Sequence, residues 1–134
     1  MYSAKKTLRV RYSETDRMGY VYYGHYAQYY EVGRTEMLRE MGITYKQLED
    51  DNFLLPVASM SVKYIRPAVY DDLLTIKTTI IRKPLIKLVF ECEIYNQKNE
   101  LLNQANIFLV FVNGNTRKPC KSPLYFTEKF EKYF

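Results

Sequence analysis

Hydrophobic residues recur at steps of three and four between Tyr26 and Met41, and at steps of two over most of the chain that follows. In the first stretch Tyr26, Tyr30, Gly33, Met37 and Met41 fall along one stripe, while Gln28, Glu31, Glu36, Arg39 and Glu40 spread over the other sides. This spacing predicts one long amphipathic helix. Gly42 stands where helices commonly close on a left-handed residue, and Arg39 in the last turn complements the negative end of the helix dipole. Ahead of the helix, Tyr12 to Tyr23 reads as a polar loop carrying Glu14 and Asp16, a turn at Gly19 and a short aromatic run.

The remaining elements follow from the period of two. Lys5 to Tyr12 alternates, with Leu8, Val10 and Tyr12 on one side, and predicts a half-buried strand. Thr44-Tyr45-Lys46-Gln47 has the form of a capping box and predicts a short helix to about Asp50. Ala58, Met60, Val62 and Tyr64 alternate with polar neighbours until Pro67 ends the run, and Leu74, Ile76 and Ile80 mark another strand. Ile86 to Ile94 alternates most regularly, and Asn96 to Asn99 reads as a hairpin connection. Ala105 to Val112 is apolar on both faces, as a central strand covered on both sides would be. The tail from Thr116 is read as irregular. The order is strand, long helix, short helix, then a meander of roughly four strands, with short connections making the late strands antiparallel neighbours. A sheet with one apolar face and a single long apolar-striped helix must pack together, which predicts an α+β fold with the helix across the sheet.

Length and composition narrow the class. At 134 residues the chain suits one domain, 1–134, and its 47% hydrophobic content suffices for a packed core. No apolar run approaches a membrane span, and nothing resembles a secretory leader, so the expected location is cytoplasmic with no membrane partner. Cys92 and Cys120 show neither metal spacing nor a disulfide framework. A net charge of +5 favours anionic partners such as a phosphorylated cofactor, with a solvated lysine-rich surface as the plainer reading. There is no basic arm or RNA-binding aromatic string, so nucleic acid is not an expected partner.

The chemistry is limited mainly by what is missing. His25 is the only histidine, so histidine-cluster metal sites are out, and no metal is expected. There is no Gly-x-Ser-x-Gly elbow and no glycine-rich phosphate cradle. Carboxylate chemistry remains. Glu14 and Asp16, two apart, project to one side if that stretch is extended. Asp16 lies nearest the Gly19 turn and the helix start, where free backbone N–H groups can hold a carbonyl oxygen gaining charge. A carboxylate there can attack the carbonyl or draw a proton from water that does so. On spacing alone, a loop aspartate in such a place is first a cap or a turn residue.

The string Tyr12-x-x-Thr15-Asp16-x-x-Gly19-x-Val21-Tyr22-Tyr23-x-x-Tyr26 resembles the signature of hotdog-fold thioesterases of the 4-hydroxybenzoyl-CoA thioesterase type, particularly the YbgC/FadM-like acyl-CoA thioesterase branch. The likeness continues through Tyr30-Glu31-x-x-Arg34-Thr35-Glu36-Met37-Leu38, Val62-x-Tyr64-x-x-Pro67-Ala68, Asp72-x-Leu74 and Lys118-Pro119. It implies a hotdog fold, an antiparallel sheet wrapped around one central helix. It also implies hydrolysis of an acyl-CoA thioester to free acid and CoA, without a further cofactor. Asp16 would be the catalytic carboxylate, as nucleophile or general base, and the Tyr23 backbone amide the oxyanion donor. Lys63, Arg66, Arg117 and Lys118 would meet CoA along the interface of a homodimer or homotetramer. His25 is read as a helix cap or as a group that orients water or substrate. Glu14 is read as tuning Asp16 or as a solvated loop acid. Glu31 and Glu36 are read as ion-pair partners of Arg34 or Arg39, with Glu31 the alternative carboxylate. A non-catalytic acyl-CoA or acyl-carrier-protein binding module, and an acyl-carrier-protein thioesterase, are the competing readings.

Overall fold

The long helix, α1, runs His25–Glu40 and is seated on the sheet at one narrow place. The computed structural model describes residues 1–134. Tyr26, Tyr29, Tyr30, Gly33, Arg34, Met37 and Leu38 are the buried residues of α1, so the expected stripe is widened by one turn-neighbour on each row. A Cβ built at Gly33 would come within 2.7 Å of Thr78 Oγ1 and 2.8 Å of Ile76 Cγ2. The helix backbone therefore lies directly on the strand beneath it. Its end is closed as expected: Gly42 has φ +82°, and Ile43 N–H donates to the Leu38 carbonyl at 2.9 Å.

Five strands form the sheet, β1 (Tyr2–Arg9), β3 (Val57–Tyr64), β4 (Leu73–Ile80), β5 (Lys87–Tyr95) and β6 (Leu101–Val110), in the order β1-β4-β5-β6-β3, all antiparallel. A second helix, α2 (Tyr45–Asp50), is capped by the Thr44 hydroxyl accepting from Gln47 N–H at 3.0 Å. Short β2 (Phe53–Leu54) pairs with β7 (Val112–Asn113). The hairpin at Asn96 is held by its side chain, whose Oδ1 accepts from Lys98 and Glu100 N–H, both at 3.0 Å. No helix is long and apolar enough to cross a membrane. The α+β expectation, a sheet wrapped around one long helix, describes this architecture.

Four expectations need correction. First, β4, β5 and β6 form a meander, but β3 does not neighbour β4: the chain crosses from Tyr64 to Leu73 and β3 lies beyond β6 as an edge strand. Second, β1 ends before Tyr12, which is 77% exposed in a one-turn 3-10 helix, Tyr12–Glu14. The Glu14 carboxylate, accepting from Arg11 N–H at 2.8 Å, turns the chain there. Third, β6 is buried along the helix face from Asn103, whereas on the opposite face only Leu102 is buried. Asn103, Ala105, Ile107 and Leu109 are buried on the helix side, while Asn106 on the other face is exposed. The strand starts earlier than expected, at Leu101, where it pairs with Tyr95, and inside the core Asn103 Oδ1 accepts from the Tyr30 hydroxyl. Fourth, the tail is not irregular: Leu124–Phe130 forms a helix, α3. Phe126 and Phe130, one turn apart, pack on Phe111 and on Tyr2 at 5.0 and 6.3 Å between ring centroids. Seven residues are too few to show a helical period in the sequence; these aromatic contacts stabilise its roughly two turns instead.

Gly33 gives a test in which two effects oppose one another. Alanine is about 1 kcal/mol better than glycine within a helix, but the added methyl group collides with β4. Gly33→Ala is expected to destabilise the fold by about 1–3 kcal/mol, the usual range for overpacking, measured as a lowered urea midpoint. A stabilised variant would mean that the helix is not held at this distance.

Candidate active site

The loop before α1 is a small hairpin folded on an aspartate. Thr15 and Val21 form a bridge pair, Asp16 N–H donates to the Tyr20 carbonyl at 2.7 Å, and Gly19 turns at φ +83° with its N–H on the Asp16 carbonyl at 3.0 Å. The Asp16 side chain completes the turn, Oδ1 accepting from Met18 N–H at 2.9 Å and Tyr20 N–H at 3.4 Å. No hydrogen bond within the chain engages Oδ2. One carboxylate oxygen thus shapes the loop and the other is left for a ligand. Both readings of Asp16, turn residue and reactive acid, fit one side chain.

Asp16 opens onto a cleft of about 330 Å³ lined also by Tyr20, Val21, Tyr23, Tyr26, Tyr64 and Arg66. The walls are mostly apolar and aromatic. Tyr26 and Tyr64 meet edge to face at 5.6 Å, and the Tyr26 hydroxyl accepts from Ala68 N–H at 3.3 Å. The crossover between β3 and β4 is pinned by Val21 N–H on the Ala68 carbonyl at 2.8 Å, so the loop and the crossover close the cleft together. At the helix start, Tyr22 N–H donates to the Glu14 carbonyl and His25 N–H to the Tyr22 carbonyl. Between them, Tyr23 N–H and Gly24 N–H have no partner within the chain. These are orphan donors at the positive end of a 16-residue helix.

Of the expected site residues, Asp16, Tyr23 and Arg66 come together here. Arg66 reaches the rim while paired with Glu100 at 2.8 Å. His25 is not the helix cap: Gly24 holds that position, and His25 is the first helical residue with Nδ1 3.1 Å from Gln28 Oε1. Glu14 neither shares a side with Asp16 nor stands in solvent. Its Oε1 also accepts from the Tyr29 hydroxyl at 3.0 Å, and burial together with that carboxylate holds the Tyr29 phenol far above its ordinary pKa. Lys63 pairs with Gln104 in register and lies on the sheet face away from the helix. Arg117 and Lys118 lie beside β7, at the start of β3, whereas the cleft lies at its end. Eight residues of strand separate the two places, about 23 Å at the usual rise. Glu36 pairs with Arg39 at 3.5 Å, as expected for one of the two helix acids.

Glu31 faces a second cleft, of about 350 Å³, together with Arg34, Tyr45 and Glu49. Sequence reasoning placed Arg34 as an ion-pair partner for helix acids; the structure buries it. Arg34 is 7% exposed, sits 6.0 Å from the Phe90 ring centroid, and takes part in none of the chain's ion pairs. Its Nε and the Tyr45 hydroxyl are buried without hydrogen-bond partners. Burial raises the Tyr45 phenol and the neighbouring Arg34 charge pulls it back down. The signal for Arg34 was its place one residue from the apolar stripe. Cys92 is 2% exposed and burial pushes its thiol up to about 12, so it is an inert core residue. No three His, Cys, Asp or Glu side chains gather at any one place, so the chain offers no ready-made metal ligand set.

An antiparallel sheet wrapped on one helix, with an acid-bearing loop at the helix start, is the hotdog architecture. The description "Thioesterase superfamily" matches residues 18–103, and the chain belongs to that family. The matched span includes α1 and the cleft walls but begins two residues after Asp16. The expectation of a thioester hydrolase agrees with that membership. The chain is similar to the acyl-CoA thioester hydrolase YbgC of Escherichia coli, 37% identical over 125 residues covering 93% of each chain. It is also similar to the acyl-CoA thioesterase YbgC of Haemophilus influenzae, 29% identical over 87% of this chain and 85% of that one. Among solved structures, the DHNA-CoA thioesterase of Staphylococcus aureus superposes with a TM-score of 0.91 at 30% identity, over 99% of this chain and 89% of that one.

The Tyr29–Glu14 contact holds the Asp16 loop against α1. Tyr29→Phe removes a hydrogen bond to a charged group and is expected to cost about 1.5–3 kcal/mol. Hydrogen exchange should show faster exchange at the Tyr22 amide, which is bonded to Glu14, and an unchanged amide rate at Leu88 in the distant β5. Equal acceleration at both would mean that the contact supports the whole fold rather than this loop.

Proposed function

We propose that this chain hydrolyses acyl-CoA thioesters to free acid and CoA at the Asp16 cleft. The observation that carries the reading is the pairing, in one cleft, of Asp16, whose carboxylate has a free oxygen, with Tyr23 at a helix start, where the Tyr23 amide and the adjacent Gly24 amide have no partner. The thioester carbonyl would lie toward the Tyr23 and Gly24 N–H groups, which gain in strength as its oxygen takes up negative charge. Asp16 Oδ2 either attacks the carbonyl carbon or removes a proton from a water that attacks it. Direct attack expels the CoA thiolate and leaves a mixed anhydride that water then hydrolyses to the free acid. In the second route the tetrahedral adduct collapses to the acid and the thiolate. A thiolate leaves without being protonated first, so the absence of a second acid in the cleft is no obstacle. The chain's likeness to proteins named acyl-CoA thioester hydrolase supports CoA as the carrier.

The working form in this reading is a homo-oligomer built on the free edge of β3. Of the two sheet edges, β1 carries Lys5, Lys6 and Arg9, charges that discourage pairing, whereas β3 carries only Lys63. Two β3 strands paired antiparallel about a two-fold axis bring the start of one strand beside the end of the other. Arg117 and Lys118 of one copy then approach the cleft of the second, where Arg66 already stands. That pairing supplies clustered positive charge for the CoA phosphates and explains how residues about 23 Å apart in one chain serve one substrate.

Asp16→Asn is the variant of choice, because the amide oxygen can keep the bonds to Met18 and Tyr20 while the reactive charge is lost. It is expected to lower kcat for thiol release by about 10²–10⁴-fold with an unchanged melting temperature. Undiminished turnover would remove Asp16 from the chemistry and turn attention to Glu31. Light scattering should give a mass of two or more chains, and an active monomer would overturn the shared site. Tight binding of a non-hydrolysable thioester analogue, with no thiol release from any acyl-CoA, would make the protein a binding module instead.

A further inference from the structure

The wall that faces Asp16 is fixed at its far end by a buried acid that the chemistry does not use. Asp72 is 9% exposed and takes part in none of the chain's ion pairs. Its Oδ2 accepts from Val69 N–H at 3.0 Å, and its Oδ1 accepts from Gln97 Nε2 at 3.0 Å. Gln97 stands on the exposed hairpin between β5 and β6, and its Oε1 accepts from Leu73 N–H at 3.1 Å. Both ends of the Gln97 amide are therefore used. Burying a carboxylate with no cation beside it works against folding. An asparagine would close the Val69 turn as well, since its oxygen also accepts. What a carboxylate adds here is acceptance on both sides at once.

These bonds set the end of the crossover between β3 and β4. Its start is held by the Leu102 carbonyl, which accepts from Ile65 and Arg66 N–H at 2.9 and 3.0 Å. Its end is the turn from Val69 to Asp72, where Asp71 has φ +69° and Asp72 N–H returns to the Val69 carbonyl at 3.2 Å. Val69 forms an isolated antiparallel bridge with Tyr20. Tyr20 holds Asp16 at two points, its carbonyl accepting from Asp16 N–H and its own N–H donating to Asp16 Oδ1. A continuous path thus runs from Gln97 through Asp72, Val69 and Tyr20 to Asp16. We propose that Asp72 and Gln97 are a positioning pair that fixes the aim of the Asp16 carboxylate. Neither residue lines the Asp16 cleft, so both act through the wall and the loop. The assignment rests on the hydrolase reading. A misplacement of about 1 Å at a reacting group slows chemistry by about 10²-fold, which is why bonds this far from the carboxylate matter.

The test reverses the polarity of the pair and reads the coupling as a double-mutant cycle. In Asp72→Asn the new amide nitrogen meets the Gln97 nitrogen, donor against donor. In Gln97→Glu two carboxylates face each other. Combined, the groups fit again: the Asn oxygen accepts from Val69 N–H, its nitrogen donates to one Glu oxygen, and the other Glu oxygen accepts from Leu73 N–H. Each single variant is expected to lower kcat for thiol release by about 10- to 100-fold, with KM within about 3-fold of the wild type. Amide exchange at Tyr20 and Val69 should quicken by roughly 10-fold or more while Leu88 in β5 is unchanged. The double variant should return kcat and both exchange rates to within about 3-fold of the wild type. Single variants that melt lower yet keep the wild-type kcat would overturn the proposal and leave the pair a support for the fold alone. A double variant no better than the singles would overturn it too. Gln97→Glu changes an exposed hairpin residue and carries the test if Asp72→Asn does not fold. A wild type that releases thiol from no thioester defeats the hydrolase reading instead. The exchange rates still decide the pair in that case, and wild-type exchange at Tyr20 in both single variants would remove it.

Discussion

Everything at the Asp16 cleft depends on how close α1 lies to the sheet, and one missing side chain sets that distance. At Gly33 the helix backbone touches Ile76 and Thr78 of β4, nearer than any residue with a Cβ allows. One turn toward the N-terminus Tyr30 bonds Asn103 on β6, and a turn further on Tyr26 is buried. The helix is therefore fixed at its centre and along the half leading to its free amides. A helix dipole acts over the first turn only, so a small shift of that end would separate the orphan donors from the carboxylate. Close packing at Gly33 converts a sheet contact into the position of Tyr23 and Gly24.

The loop is positioned by the same economy of parts. Asp16 spends one oxygen on its own turn, Glu14 spends its carboxylate on Arg11 and Tyr29, and the crossover at Ala68 bonds both Val21 and Tyr26. The Tyr29–Glu14 bond ties the loop to α1, and the Val21–Ala68 bond ties it to the strand connection that forms the opposite wall. Preorganisation of this kind matters for a site with so few groups, because donors already aimed at a developing oxyanion need no rearrangement during reaction. The partly exposed rings of Tyr20 and Tyr23 line the same cleft as Asp16.

The helix, its glycine stop, the alternating β5 and the hairpin at Asn96 were all legible from spacing, because each depends on local periodicity or turn chemistry. The position of β3 was not. Its pattern resembles that of its neighbours, and only the crossover through Ala68 determines which strand it meets. The small helix at Leu124–Phe130 was hidden for a related reason: Phe126 and Phe130 have meaning only once Phe111 is beside them. At the site, Asp16 and the helix start were readable because they are close in sequence. Glu14 was misread because a 3-10 turn, not an extended strand, carries it. The place of Arg34 beside the apolar stripe hinted at its burial, but its lack of an ion-pair partner is a property of the packed core and could not be read from spacing.

The two ends of β3 explain why charged residues so far apart belong to one reading. A single chain places a carboxylate, free amides and one arginine at the end of the strand, and leaves Arg117, Lys118 and the unsatisfied Arg34 near its beginning. Neither end is complete alone. The first has chemistry but little to hold a highly charged carrier, and the second has cations but no reactive group facing its cleft except Glu31. The proposed antiparallel pairing would bring the two ends together and satisfy the unpaired backbone groups of β3 at the same time. In the proposed reading, the strand edge and a CoA substrate would both be served by a second copy of this chain running in the opposite direction.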